Sequence, residues 1–167
     1  MWDLLLLREG FKLVGHEMRV NCVKRMEENS LLSCSDDGSV LLWDLKERLL
    51  LRKLEGEGAS ANTFCLSPNK QVLYVGCEGF VRSISTKTWQ VVWEERGEEL
   101  AWTYCMGCAE GDLFVGTNDG KVLKFDAIGT LHELCAVVDV WDLLVYRDGC
   151  SIFLIIATSF SCMELSL

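Results

Sequence analysis

The chain has 167 residues, half of them hydrophobic, a formal charge of −9 and a single proline. That length predicts one domain able to bury roughly two thirds of its unfolded surface, and the lone proline excludes a linker or low-complexity segment. The acidity argues against duplex DNA or RNA as the main partner, because phosphate binding draws on clustered Lys and Arg. The longest apolar run, residues 152–157, is far short of the about eighteen residues a spanning helix needs.

No charged region precedes the apolar run at the N-terminus, and no small-residue cleavage site follows it. An intracellular chain is expected, cytoplasmic rather than nuclear. Of nine cysteines, most (Cys22, Cys34, Cys65, Cys77 and Cys105) sit inside apolar runs, and the number is odd. Free thiols serving as small buried hydrophobes are therefore predicted rather than a disulfide framework.

The chain is organised by a repeat of 41 residues that needs no gaps. A partial unit, 1–14, closes a strand at Trp2-Asp3. The next unit, 15–55, opens on Gly15-His16 and sends a first strand through residues 20–23. Its second strand, 31–35, runs into Asp37-Gly38, a strong hairpin signal because glycine takes φ > 0 without steric cost. A third strand ends at Trp43-Asp44, and a fourth covers 49–54.

The same marks return in units 56–96 and 97–137. The turn glycine recurs as Gly79 and Gly120, and the preceding acid as Glu78 and Asp119. The large closing residue recurs as Ile84 and Phe125, and the opening glycine as Gly56 and Gly97. The last unit, 138–167, is degenerate: Phe160-Ser161 replaces the acidic-Gly turn, and 163–167 fits a third strand poorly. Trp141-Asp142 imitates a repeat ending but is out of phase. Four short strands at a period of about 40 to 45 residues predict an all-β radial array, a β-propeller or propeller segment of about four blades. Each blade would be a four-stranded antiparallel sheet that buries its faces only by stacking on neighbours.

Gly15-His16, Ser35, Asp37-Gly38 and Trp43-Asp44, at these spacings, resemble the WD-repeat β-propeller family over nearly the whole chain. The resemblance implies a buried hydrogen-bonded set within a blade, made here by His16, Ser35, Asp37 and Trp43, with Ser33 the less favoured serine. A buried Asp needs donors, and imidazole and hydroxyl groups supply them. The set degrades to Glu57, Gly76, Glu78 and Ile84 in the next unit, and to Glu98, Thr117, Asp119 and Phe125 in the third. Those blades must lean on apolar packing. Because family rings usually carry about seven blades, a fragment, a shortened product or half of a ring completed by another chain is expected.

No constellation for catalysis, metal or cofactor emerges. His16 has a structural place, and His132 falls in a fourth strand. Cys105-Met-Gly-Cys108 lacks a second ligand pair for zinc and a βαβ setting for redox work. The 116–121 stretch is one residue short of a phosphate loop and carries Val122 where Ser or Thr would bind magnesium. The expectation is a non-catalytic scaffold for protein–protein interaction that binds other proteins, as a dimer or within an assembly of further blades, and needs no membrane. Loops before each first strand and the second-to-third turns should gather on one acidic face. Glu57, Glu78, Glu95, Glu98, Glu99 and Asp119 mark that face as a candidate site for a basic peptide.

Overall fold

The computed structural model describes residues 2–3, 8–9, 11–100, 102–126, 129–137, 140–148, 151–158 and 162–166. The expected 160–161 replacement of the turn lies outside them. A short ribbon, β1 (Trp2–Asp3) with β2 (Arg8–Glu9), precedes four sheets. The first blade is β3 (Val20–Glu27), β4 (Ser30–Ser35), β5 (Val40–Asp44) and β6 (Leu49–Leu54). The second is β7 (Ala61–Leu66), β8 (Val72–Cys77), β9 (Phe80–Ser85) and β10 (Val91–Arg96). The third is β11 (Thr103–Ala109), β12 (Asp112–Thr117), β13 (Lys121–Phe125) and β14 (Leu131–Ala136). The fourth holds β15 (Asp142–Asp148), β16 (Ser151–Ala157) and β17 (Cys162–Ser166).

Every sheet is an antiparallel meander in chain order. The turns are local: the amide of Gly38 bonds the Ser35 carbonyl at 3.0 Å, with Gly38 at φ 81°. A side chain at that φ would cost about 1 kcal/mol or more, which is why glycine marks this corner. The poor third-strand pattern near the C-terminus still yields β17, because its Leu165 faces the buried cluster of the last join and its backbone pairs Leu154.

The core is not inside the blades but between them. Leu32, Cys34 and Val40 of the first blade meet Phe64, Leu73, Val75 and Phe80 of the second. Cys65, Tyr74 and Val81 of the second meet Met106, Leu113, Leu123 and Phe125 of the third. Cys105, Phe114 and Val122 of the third meet Leu143, Leu154 and Ile156 of the fourth. This follows from the period of two along a strand, which puts alternate apolar residues on opposite sheet faces.

The inner strands β3, β7, β11 and β15 stand side by side in that order, and β15 does not return to pack against β3 as these pairs do. Among the described residues, three joins therefore leave two faces without a neighbouring blade, and the array is an open arc. Val20 and Val23 on β3 are 45% and 52% exposed, while Ala61 and Phe64, one repeat later, are fully buried. Among the described residues no helix is long and apolar enough to cross a membrane.

Candidate interaction surfaces

The hydrogen-bonded set of the first blade is assembled from a loop, two strands and a turn. Gly15 lets the loop backbone lie on the indole: a Cβ there would come within 2.8 Å of Trp43 Cη2. This drops the His16 ring over Ser33, edge-on to Trp43 at 6.4 Å between ring centroids. Trp43 Nε1–H donates to Ser33 Oγ at 2.8 Å, and Ser33 Oγ lies 2.7 Å from His16 Nε2. His16 Nδ1 lies 3.2 Å from Asp37 Oδ2. A carboxylate can only accept, so Nδ1 carries the proton and Nε2 accepts from the Ser33 hydroxyl.

Asp37 is held from other sides too. It accepts from the Glu17 amide at 2.8 Å, the Ser39 amide at 2.8 Å and the Ser39 hydroxyl at 2.6 Å. Burial pushes its carboxyl up, but the Ser39 hydroxyl, the Glu17 and Ser39 amides and His16 outweigh burial and hold it well below the usual carboxylate range.

The serine of the set is Ser33, not the expected Ser35. Both lie on one side of β4, but Leu31 pairs Trp43, so Ser33 is the diagonal neighbour the indole reaches. Ser35 sits one step further, where pairing with β5 has ended, and its hydroxyl accepts the Asp37 amide at 3.1 Å. Ser33→Ala is expected to cost about 1–3 kcal/mol by leaving Trp43 Nε1–H and His16 Nε2 unmatched. Ser35→Ala should cost well under half as much, and urea denaturation of the two variants compares them.

The second blade answers differently at the position of His16. Glu57 pairs with Arg82 at 3.0 Å and Arg96 at 2.5 Å, and both arginines also grip Glu94, at 2.7 and 2.6 Å. Arg82 is 8% exposed and is the one charged residue of β9. Burial raises the Glu94 carboxyl while Arg82 and then Arg96 pull it down, leaving it below its ordinary value. Sequence reasoning missed Arg82; a lone charge in a strand, with acids at 57 and 94, is the signal that finds it.

The six candidate carboxylates gather on one end of the arc, where the second-to-third turns bond the loops before the first strands. The Glu78 amide reaches the Ser60 carbonyl at 3.0 Å, Gly79 reaches Leu100 at 2.9 Å, and Asn118 reaches Trp102 at 3.0 Å. Electrostatically they divide. Glu57 is neutralised by the two arginines, and Glu99 and Asp119 share Lys121 at 3.8 and 3.9 Å. Glu78, Glu95 and Glu98 are exposed and have no ion pair among the described residues.

The other stretches weighed for chemistry are strands. Cys105 faces the fourth blade and Cys108 the second, on opposite sides of β11. Burial pushes their thiols up to about 12 and 11. The 116–121 stretch is a strand–turn–strand, with Thr117 Oγ1 donating to Asp119 Oδ1 at 2.5 Å. Among the described residues no group of three or more His, Cys, Asp or Glu is placed to hold a metal.

Several hollows lie among the described residues. One of about 410 Å³ lies among the inner strands, lined by Arg19, Asn21, Asn62, Trp102 and Tyr104. Another, about 270 Å³, is an apolar groove on the outer-facing side of the first blade. Phe11, Leu13, Val20, Val23, Leu31 and Trp43 line it.

Comparison with known proteins matches residues 8–44 to the WD domain, G-beta repeat family. The small ribosomal subunit protein RACK1y of Oryza sativa subsp. japonica is 34% identical over 138 residues, 77% of this chain and 41% of that protein. The WD repeat-containing protein 55 homolog of Drosophila yakuba is 30% identical over 119 residues, 67% of this chain and 23% of that protein. The chain thus spans less than half the length of these curated relatives. Among solved structures, the computationally designed Ika4 protein superposes with a TM-score of 0.76 at 18% identity, over 94% of this chain and 98% of that one. The WD40 β-propeller domain of Doa1 does so at 0.78 and 18%, over 93% of this chain and 53% of that one.

Proposed function

Because the chain belongs to the WD-repeat β-propeller family, we propose that it is a non-catalytic scaffold that holds other proteins together in a multiprotein complex. The observation that carries the reading is the acidic end of the arc. Glu78, Glu95 and Glu98 project there with no ion pair among the described residues, beside Glu99 and Asp119, which share Lys121. A basic peptide segment is the partner this end suits, with charge acting mainly on encounter rate and orientation. The same acidity disfavours nucleic acid and anionic membrane surfaces. A cytoplasmic place of work belongs to this reading, supported by a relative named as a small ribosomal subunit protein.

A second reading, favoured by the two free faces, is that the chain supplies blades to a larger propeller. The first reading is tested with the variant Glu95→Lys, Glu98→Lys, Glu99→Lys and a lysine-rich probe peptide followed by stopped-flow fluorescence. The association rate is expected to fall about tenfold at low salt, with the difference shrinking as salt rises. An unchanged rate and affinity would sink it.

A further inference from the structure

We infer that Cys22 and Cys34 are a modification site: hydrogen peroxide oxidises Cys22, and Cys34 resolves the product into a reversible disulfide between β3 and β4.

The pair is made by a register step that the 41-residue repeat does not contain. In the second blade Thr63 lies opposite Gly76 and Phe64 opposite Val75. One repeat earlier, the same pairing would set Cys22 opposite Ser35 and Val23 opposite Cys34. The first blade has an irregularity between Arg25 and Glu27 for which the second blade shows no counterpart. Such a bulge moves the pairing by one residue and re-aims the side chains beyond it. As a result Cys22 stands opposite Cys34. Both thiols belong to the cluster between the first two blades, Cys34 fully buried and Cys22 packed against it, partly exposed. Opposed residues of antiparallel strands hold their Cα atoms about 4.5–5.5 Å apart. A disulfide spans about 4.4–6.8 Å between Cα atoms, so neither strand has to move far.

The surroundings divide the roles of the two thiols. Cys22 and Lys24, two residues apart on β3, both reach β7 of the next blade. The Lys24 ammonium donates to the Phe64 carbonyl at 2.8 Å. The Phe64 amide and the Thr63 hydroxyl donate to the Cys22 sulfur, as does the Cys34 thiol. The Cys34 hydrogen bond, then the Lys24 charge and the donors on β7, outweigh burial and lower the Cys22 thiol below its ordinary range. Cys34 is raised by the same bond and by burial, and burial also raises Cys65 and Cys77. The anion therefore settles on Cys22, the one of these four that meets solvent beyond the buried class. The thiolate is the reactive form.

The step balances with one peroxide. The Cys22 thiolate attacks an oxygen of hydrogen peroxide; the S–O bond forms as the O–O bond breaks. The departing hydroxide takes up the proton that Cys22 had released, giving water. The Cys34 sulfur then attacks the Cys22 sulfur, the S–S bond forms as the S–O bond breaks, and the Cys34 proton leaves with hydroxide as a second water. Two electrons pass from the thiol pair to the peroxide. The disulfide removes the negative charge beside Lys24 and the acceptor used by Thr63 and Phe64, so its effect falls on the first join.

The test treats the intact chain with a small excess of hydrogen peroxide, blocks the remaining thiols with N-ethylmaleimide and maps peptides by mass spectrometry. A peptide linking Cys22 to Cys34 is expected, and dithiothreitol should abolish it. In untreated chain, peptide-resolved iodoacetamide labelling of Cys22 against pH should have its midpoint below the ordinary thiol value of about 8.5. In Cys34→Ser, peroxide should leave a sulfenic acid on Cys22 that dimedone traps; in Cys22→Ser, Cys34 should stay unoxidised. Cys22 carried to sulfinic acid while Cys34 remains free overturns the pairing. Oxidation of the exposed Cys162 with Cys22 untouched overturns the site. A link from Cys22 to any other cysteine overturns the role of Cys34. The linked peptide and the labelling midpoint are read on the native chain, so the outcome does not depend on either variant folding.

Discussion

Replacing Phe64 by alanine is expected to lower the unfolding free energy by about 3–5 kcal/mol, the range for emptying a buried aromatic site. Phe64 is fully buried at the first join, among Leu32, Cys34, Leu73 and Val75. A domain of this size has about 5–15 kcal/mol in all, so the loss is a large share of the total. The array keeps its core at the joins, so the damage should spread to two blades rather than stay within one sheet. Lys24 adds to the effect: its ammonium bonds the Phe64 carbonyl at 2.8 Å and lies 5.7 Å from the ring centre. Urea denaturation followed by tryptophan fluorescence reads the change, and a loss below about 1 kcal/mol would mean that the joins do not hold the fold. Val23 occupies the same register one repeat earlier, but it is half exposed because no other blade among the described residues packs on that side.

Asp37→Asn is expected to cost about 2–4 kcal/mol at neutral pH, because the amide presents N–H where a donor already points and removes the charge that four donors serve. It should also change how stability depends on pH. The folded-state pKa of Asp37 is depressed. Its stabilisation is therefore fully present above the unfolded value of about 4 and is lost as pH falls from there toward the folded value. The gap between the native chain and Asp37→Asn should accordingly be constant from pH 7 to 5 and shrink below about pH 4. Denaturation midpoints at pH 7, 5 and 3 test this. A gap that stays constant down to pH 3 would show that the carboxylate is not what the donors hold. Other depressed carboxylates, Asp36 and Glu94, contribute equally to both chains and drop out of the difference.

The sequence by itself determined the repeat, the strands of each blade and the corners between them. Asp37-Gly38, Glu78-Gly79 and Asp119-Gly120 each close a hairpin whose glycine has a positive φ. These signals are local: turn chemistry and the two-residue alternation act over a few bonds and survive wherever the blade is placed. His16, Asp37 and Trp43 were legible for the same reason, since fixed offsets within one blade bring them to one point.

Only the tertiary structure chose Ser33 over Ser35. The two serines share a strand face about 7 Å apart, and the choice falls to the register of β4 against β5 and to the reach of one indole. It also placed Arg82 and Arg96 on Glu57, which turned part of an acidic face into a neutral network. Distances between blades are not encoded in any short window, so a count of acids along the chain overstated the charge at that end. The openness of the arc is of the same kind. Period and composition specify what a blade is, while the angle at which blades stack decides whether the last one meets the first. Here β15 and β3 stay apart, and the faces they leave uncovered exist only in three dimensions.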